Sequence, residues 1–244
     1  MRHALSLPPF GDLSDPHALV DVAIAAEEAG WDAVFVWDHL LRPVEQATRI
    51  ADPWIMMAAI AAATTRVRIG PLVTPIARRR PLKLVREVAT LDLLANGRLI
   101  LGLGLGVDSG GELTRTNEEL DPKVRGSMLE EGVRLLDVML RGEHVVHRGQ
   151  HYTVDGITVA PTGAQQPRVP FWLATRGDNL APVRRAARYE GLCPTTITPD
   201  RLAELVEVVE RERGSLDGFD FALMTTPDHS IAEFERRGAT WAVH

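Results

Sequence analysis

The chain has 244 residues, 45% of them hydrophobic, enough to bury the core of one α/β barrel or of two small domains. Against 27 Lys and Arg stand 33 Asp and Glu, a net charge of −6 spread along the chain, so no basic surface for nucleic acid is advertised. One cysteine, Cys193, excludes an intramolecular disulfide and a thiolate metal cluster, and "MRHALSLPPF" lacks the apolar core of a signal peptide; the expectation is a soluble cytoplasmic protein.

Short apolar runs alternate with capped amphipathic segments. "HALSLP" (3–8) predicts a strand, followed by a helix in "SDPHALVDVAIAAEEAG", where Asp15 is placed to N-cap, Pro16 takes the first helical position and Gly30 ends it. "DAVFVWDH" (32–39) predicts the second strand, and the next helix opens at Asp52-Pro53 in "DPWIMMAAIAAAT", too short and too rich in alanine to cross a bilayer. "RVRIGPLVTPI" (66–76) precedes the helix "RPLKLVREVATLDLLANG", and Arg78-Arg79-Arg80 between them reads as a solvated loop beside Pro81. "RLILGLGLG" (98–106) supplies the fourth strand, ahead of a helix around "VRGSMLEEGVRLLDVMLRG" (124–142).

"EHVVHRGQHYTVDGITVAP" (143–161), broken at Arg148-Gly149-Gln150 and Asp155-Gly156, predicts a hairpin. "VPFWLAT" (169–175) then pairs with "NLAPVRRAARYEG", "LCPTTIT" (192–198) with "PDRLAELVEVVERERG", and "FDFALMTT" (219–226) with "PDHSIAEFERRG". The last two helices both open with Thr-Pro-Asp, and "ATWAVH" ends the chain as a strand with no helix after it. Eight strands in alternation with seven helices imply parallel strands and a closed ring. The expected fold is an α/β (β/α)8 TIM barrel, a single domain over residues 1–244, in a short form with a hairpin-like insertion before strand 5 and no clear eighth helix. Either that helix is absent from this chain or a partner subunit covers the side.

Chemistry in such a barrel sits at the C-terminal ends of the strands. Asp38 and His39 follow the buried run "VFVW", so the wall ends in a polar rim; the plainer reading has Asp38 capping a turn and His39 packing. In "LILGLGLG" the leucines at 99, 101, 103 and 105 share one face and Gly102, Gly104 and Gly106 the other. That bare face suits a flat ligand close to the backbone, or else tight interior packing. The dinucleotide spacing G-x-G-x-x-G fails, since from Gly104 its last position is Ser109. In "ATRGDN", Thr175, Arg176 and Gly177 precede a helix beginning near Leu180 and offer a hydroxyl, a guanidinium and backbone amides, either as a phosphate seat or as an ordinary polar loop. His144, His147 and His151 have helical spacing in a strand-and-turn segment, so no metal site is expected. Ser109 and Cys193 lack a nucleophile's context.

"AVFVWDHL", the run from "DPWIMMAAIAAATTRVRIGPLVTPI" through "NGRLILGLGLG", "VPFWLAT" and "RRAARYEGLCP", in that order, resemble the bacterial luciferase-like flavin-dependent oxidoreductases over nearly the whole chain. The resemblance implies a flavin-type ring at the C-terminal mouth of the barrel and a non-prolyl cis peptide at the end of strand 3. Matching places that peptide near Leu72–Val73, bulging against the ring so that Leu72, Val73 and Thr74 belong to the cofactor site, with a cis Thr74–Pro75 bond as the competing reading. It further implies that Gly104, Leu105 and Gly106 run along the ring and its side chain. Leu105 stands where some luciferases carry a phosphate-reaching arginine, which leaves Arg176, with Thr175 and Gly177, to substitute. The loop "TRGD" departs from the Gly-rich or Glu-Ser loops of the family. His39 matches a histidine acting at the reacting edge of the flavin or on substrate, with Asp38 orienting it or the loop and Phe10 and Trp37 lining the mouth.

The leading expectation is a monooxygenase using reduced FMN and O2 on a small, largely apolar substrate. A separate flavin reductase would supply the FMN, and the protein would be a homo-oligomer, a dimer, without nucleic-acid or membrane partners. Three alternatives stand beside it: a hydride-transfer enzyme of the same fold using the deazaflavin coenzyme, a catalytically silent flavin-binding subunit, and a metal-dependent barrel hydrolase. Against the last stands the lack of a convergent His/Asp set at several strand ends.

Overall fold

A computed structural model describes residues 1–41, 49–225 and 230–244. A strand followed by a capped helix returns the chain to the same edge of the sheet, so the apolar runs become parallel strands. In chain order they are β1 (Arg2–Leu7), α1 (Pro16–Glu28), β2 (Ala33–Val36), α2 (Pro53–Ala63), β3 (Arg68–Pro71), β4 (Thr74–Pro75), α3 (Pro81–Leu94), β5 (Leu101–Gly104) and α4 (Pro122–Leu140). The expected hairpin follows as the antiparallel pair β6 (His144–Arg148) and β7 (Thr153–Thr158). Then come β8 (Phe171–Arg176), α5 (Ala181–Ala186), β9 (Gly191–Thr195), α6 (Pro199–Arg213), β10 (Asp220–Met224), α7 (Ile231–Arg236) and β11 (Trp241–Val243).

The parallel sheet runs β3-β2-β1-β11-β10-β9-β8-β5-β4. Because β3 and β4 are halves of one stave, parted by a cis Leu72–Val73 peptide, the nine strands make eight staves. The ring closes where Ile69 N–H donates to Arg98 O and Ile100 N–H to Ile69 O. The fold is a TIM barrel. Thr74–Pro75 is not among its cis bonds; the prolyl ones are Ala160–Pro161 and Gln166–Pro167.

Strand alternation sorts the side chains into two cores. Phe35, Ile100, Trp172 and Trp241 fill the barrel interior, with the two indoles 5.3 Å apart, while Leu99, Leu101, Leu103 and Leu173 pack outward under the helices. Three helices start alike: the carboxylates of Asp15, Asp52 and Asp121 accept the N–H two residues on, and proline holds the first helical position.

Two expected helix limits change. α7 is capped by Ser230 in a capping box with Glu233, while the Thr226-Pro227-Asp228 assigned to its start lies outside the described residues. α5 stops at Ala186 because the residues after it are drawn under the barrel: Tyr189 packs on Phe171, and the Glu190 carboxylate accepts from Phe171 N–H and from Arg168. Among the described residues, no helix is long and apolar enough to cross a membrane.

The turn into β3 hangs on one acid. Glu27, on α1, accepts the backbone N–H groups of Thr65, Arg66 and Val67. Burial works against its charge, but these amides and the Thr65 hydroxyl outweigh it and hold the carboxyl down at about 2. A depressed folded-state pKa adds stability that is complete above the unfolded value near 4.5 and is lost as pH falls through about 2. Glu27→Gln should therefore flatten the acid limb of the stability–pH curve in that window. Urea midpoints that fall in parallel for both proteins would show that Glu27 is not the group responsible.

Candidate active site at the barrel mouth

β2 ends at Val36, and its alternation turns Trp37 into the mouth of the barrel above Phe35. The Trp37 indole N–H donates to Ser6 Oγ at 2.6 Å, which fixes the ring. Phe10 stands edge-on to it at 6.1 Å between centroids, and the His39 ring lies 5.9 Å from both. Phe10, Trp37 and His39 thus come together as the sequence implied.

What orients His39 was not among the expected residues. Its Nδ1 lies 2.9 Å from Oε1 of Glu112, which also accepts the N–H groups of Leu40 at 2.6 Å and Leu41 at 3.1 Å. Glu112 is buried in the loop after β5, where the Asp108 carboxylate pins the turn by accepting Leu113 N–H at 2.7 Å. Burial pushes the Glu112 carboxyl up, yet hydrogen bonds from His39 and Leu41 and the charges of His39 and Arg78 prevail, leaving it below its ordinary value. An ionised carboxylate can only accept, so Nδ1 carries a proton, and in the neutral imidazole the lone pair is on Nε2. No local signal marked Glu112: it sits in the Gly-rich stretch "DSGGELTRT", about seventy positions from its partner.

Of the two tasks expected of Asp38, orienting His39 or the loop, its contacts are those of the second. Its Oδ2 accepts Thr74 Oγ1 at 2.9 Å, an Arg79 nitrogen at 2.7 Å and the Trp54 indole N–H at 3.4 Å, while Arg78 donates to its carbonyl oxygen at 2.8 Å and approaches Oδ1 at 3.3 Å. It braces the loop, and the imidazole is held by Glu112. The same contacts correct the reading of Arg78-Arg79-Arg80 as a solvated loop for the first two, while Arg80 is exposed as expected: the Arg78 side chain is 3% exposed, because a buried Asp38 carboxylate requires a counter-charge. Thr74, assigned to the cofactor, is likewise buried and turned to this brace.

The glycine face of the fourth stave is not bare. A Cβ on Gly104 would stand 2.6 Å from Val73 Cγ2, one on Gly102 would collide with the carbonyl of Pro71, and one on Gly106 would lie 2.9 Å from Pro75 Cβ. The shoulder around cis Leu72–Val73 occupies the space that the alternation left open. Gly104→Val should therefore lower unfolding free energy by about 1–3 kcal/mol through overpacking, read from urea denaturation. An unchanged midpoint would mean that the shoulder yields freely.

At the end of β8, Thr175 is buried and, among the described residues, its Oγ1 has no partner and the exposed Arg176 has no hydrogen bond or ion pair, while Gly177 (φ 72°) has open space where a Cβ would be. Helix α5, which was to lend its amides, is six residues long, and Asn179 already accepts Ala181 N–H. Leu105 borders a neighbouring groove between α4 and the hairpin, of about 760 Å³. The three histidines of the hairpin find separate partners: His144 meets Thr158, His147 meets Glu131, and His151 meets Ser127.

A profile of the luciferase-like monooxygenase family matches residues 3–234. The F420-dependent glucose-6-phosphate dehydrogenase of Nakamurella multipartita is 33% identical over 216 residues, which are 84% of this chain and 61% of that protein. The chain thus spans about three fifths of the length of that relative. Among solved structures, an F420-dependent secondary alcohol dehydrogenase in complex with an F420-acetone adduct gives a TM-score of 0.81 at 24% identity, covering 91% of this chain and 68% of that one. The oxygenating constituent of 3,6-diketocamphane monooxygenase of Pseudomonas putida, in complex with FMN, gives 0.75 at 17% identity, covering 93% and 67%. At those identities the two structures speak to the fold alone.

Proposed function

Since the chain belongs to the luciferase-like monooxygenase family, we propose that it is an oxidoreductase that moves a hydride between the deazaflavin coenzyme F420 and a substrate carbon bearing a hydroxyl or carbonyl group. The dehydrogenase relative, which is named for F420, favours this alternative over the FMN-oxygenase expectation. The observation that carries the reading is the His39–Glu112 hydrogen bond at the mouth, which leaves His39 Nε2 as a base beside an aromatic wall.

The residues fit a flat, phosphate-bearing coenzyme. Leu72 and Val73 form an apolar shoulder over the interior, Phe10 and Trp37 a wall, and the exposed Arg176 has no partner among the described residues. Leu72, Val73, Gly106 and Ala174 would hold the ring, and Thr175, Arg176 and Gly177 the phosphate. When bound, the deazaflavin supplies a two-electron hydride acceptor or donor. The proton leaving a substrate hydroxyl passes to Nε2 of His39, and the Glu112 carboxylate stabilises the imidazolium through Nδ1. Phe10 and Trp37 exclude water from that exchange.

The test incubates the protein with F420 and a panel of secondary alcohols, sugar phosphates and carbonyl compounds, following the visible absorbance of the coenzyme. Turnover with any of these supports the reading. Oxygen uptake with reduced FMN and none with F420 returns the monooxygenase, and binding without turnover of either returns the silent subunit.

A further inference from the structure

Behind the His39–Glu112 pair lies a guanidinium that the Asp38 brace does not fully explain. Arg78 leaves the 3-10 turn Ile76–Arg78 and reaches two loops at once. Its Nη2 bonds the carbonyl of Asp38, while Nη1 lies 3.7 Å from Oε2 of Glu112. Nε and Nη1 are buried and have no hydrogen-bond partner among the described residues. Buried charged donors are costly to leave unpaired, and Asp38 already has Arg79, Thr74 and Trp54. The orphaned Nη1 has the Glu112 carboxylate within ion-pair distance. Its Oε1 accepts from His39, Leu40 and Leu41, and among the described residues no donor bonds its Oε2.

We propose that Arg78 is a positioning residue: it ties the loops after β2 and β5 together from behind, keeps Oε1 of Glu112 on His39 Nδ1, and sets its unpaired Nη1 against Oε2. The proposal rests on the reading of His39 as the proton acceptor and adds the residue that fixes the carboxylate behind it. Among the described residues, the charged cluster at Glu112 comprises His39 and Arg78, which face it directly, and Asp38 and Arg79, which join through Arg78, whereas Asp108 and Arg115 of its own loop are exposed. Two guanidinium ions therefore balance two carboxylates when His39 is neutral. A planar fork can address Asp38 O and Glu112 Oε2 together; a single ammonium cannot.

The test compares Arg78→Met and Arg78→Lys with the parent protein, each carrying 13C-carboxyl-labelled glutamate. In Arg78→Met the Glu112 carboxyl should titrate at higher pH, because a cation beside it is gone. Its kcat should fall about tenfold, a fraction of a full acid–base contribution, with coenzyme KM nearly unchanged. Arg78→Lys should recover part of both. An unchanged Glu112 titration beside a lowered melting temperature overturns the proposal and leaves Arg78 as a brace for Asp38. Should Arg78→Met not fold, Arg78→Lys decides: a raised titration with reduced turnover supports the assignment, and parent-like values overturn it. The titration needs no coenzyme, so a parent protein inactive with F420 removes the functional reading and still leaves this one decided.

Discussion

His39→Ala should lower turnover about a hundred- to ten-thousandfold while coenzyme affinity stays nearly intact, since a positioned acid–base group contributes that much to the chemical step and little to ground-state binding. The expectation rests on geometry. Glu112 fixes Nδ1 as the protonated nitrogen, leaving Nε2 to face the mouth beside Phe10 and Trp37. Glu112→Gln should fall between parent and His39→Ala: the amide oxygen can still accept from Nδ1–H, but it cannot stabilise an imidazolium. A His39 that merely packs gives the opposite pattern, with a lowered melting temperature and unchanged turnover per folded molecule. Measuring both quantities on both variants separates these outcomes.

Asp38→Ala should lower unfolding free energy by about 3–5 kcal/mol, the range seen when one partner of a buried ion pair is removed. The cost comes from what remains: Arg78, 3% exposed, keeps the backbone carbonyl of residue 38 at 2.8 Å but has as counter-charge only a Glu112 oxygen at 3.7 Å, and the Thr74 hydroxyl loses its acceptor. Asp38→Asn should cost less, because an amide oxygen still accepts from Thr74 and Arg79. Urea denaturation at neutral pH reads both. A loss below about 1 kcal/mol for Asp38→Ala, the level of an exposed pair, would mean that the brace is solvated and that the arginines find other partners.

The barrel was legible because its signals are local. Asp-Pro caps, glycine stops and unbroken apolar runs each lie within a few residues of what they specify, and the position of the cis peptide followed from the resemblance carried by "RIGPLVTPI". The site was legible only as far as one strand end. Asp38 and His39 are adjacent, but the groups that divide the work between them arrive from 36 to 73 positions away: Thr74, Arg78 and Arg79 to Asp38, Glu112 to His39. Three arginines beside a proline look solvated until the carboxylate opposite them is known. Alternation correctly put the glycines of the fourth stave on one face, yet it carries no information about the facing strand, whose shoulder at Val73 fills the space. The expected reach of α5 failed for a similar reason, since Glu190 answers to Arg168 across the bottom of the barrel.

Equilibrium binding of F420 and of FMN to the same preparation tests the central claim, a mouth built for a deazaflavin coenzyme beside a His39–Glu112 base. F420 should bind saturably and at least about tenfold more tightly than FMN, a difference of about 1.4 kcal/mol. Tighter binding of FMN, with no saturable binding of F420, would contradict it.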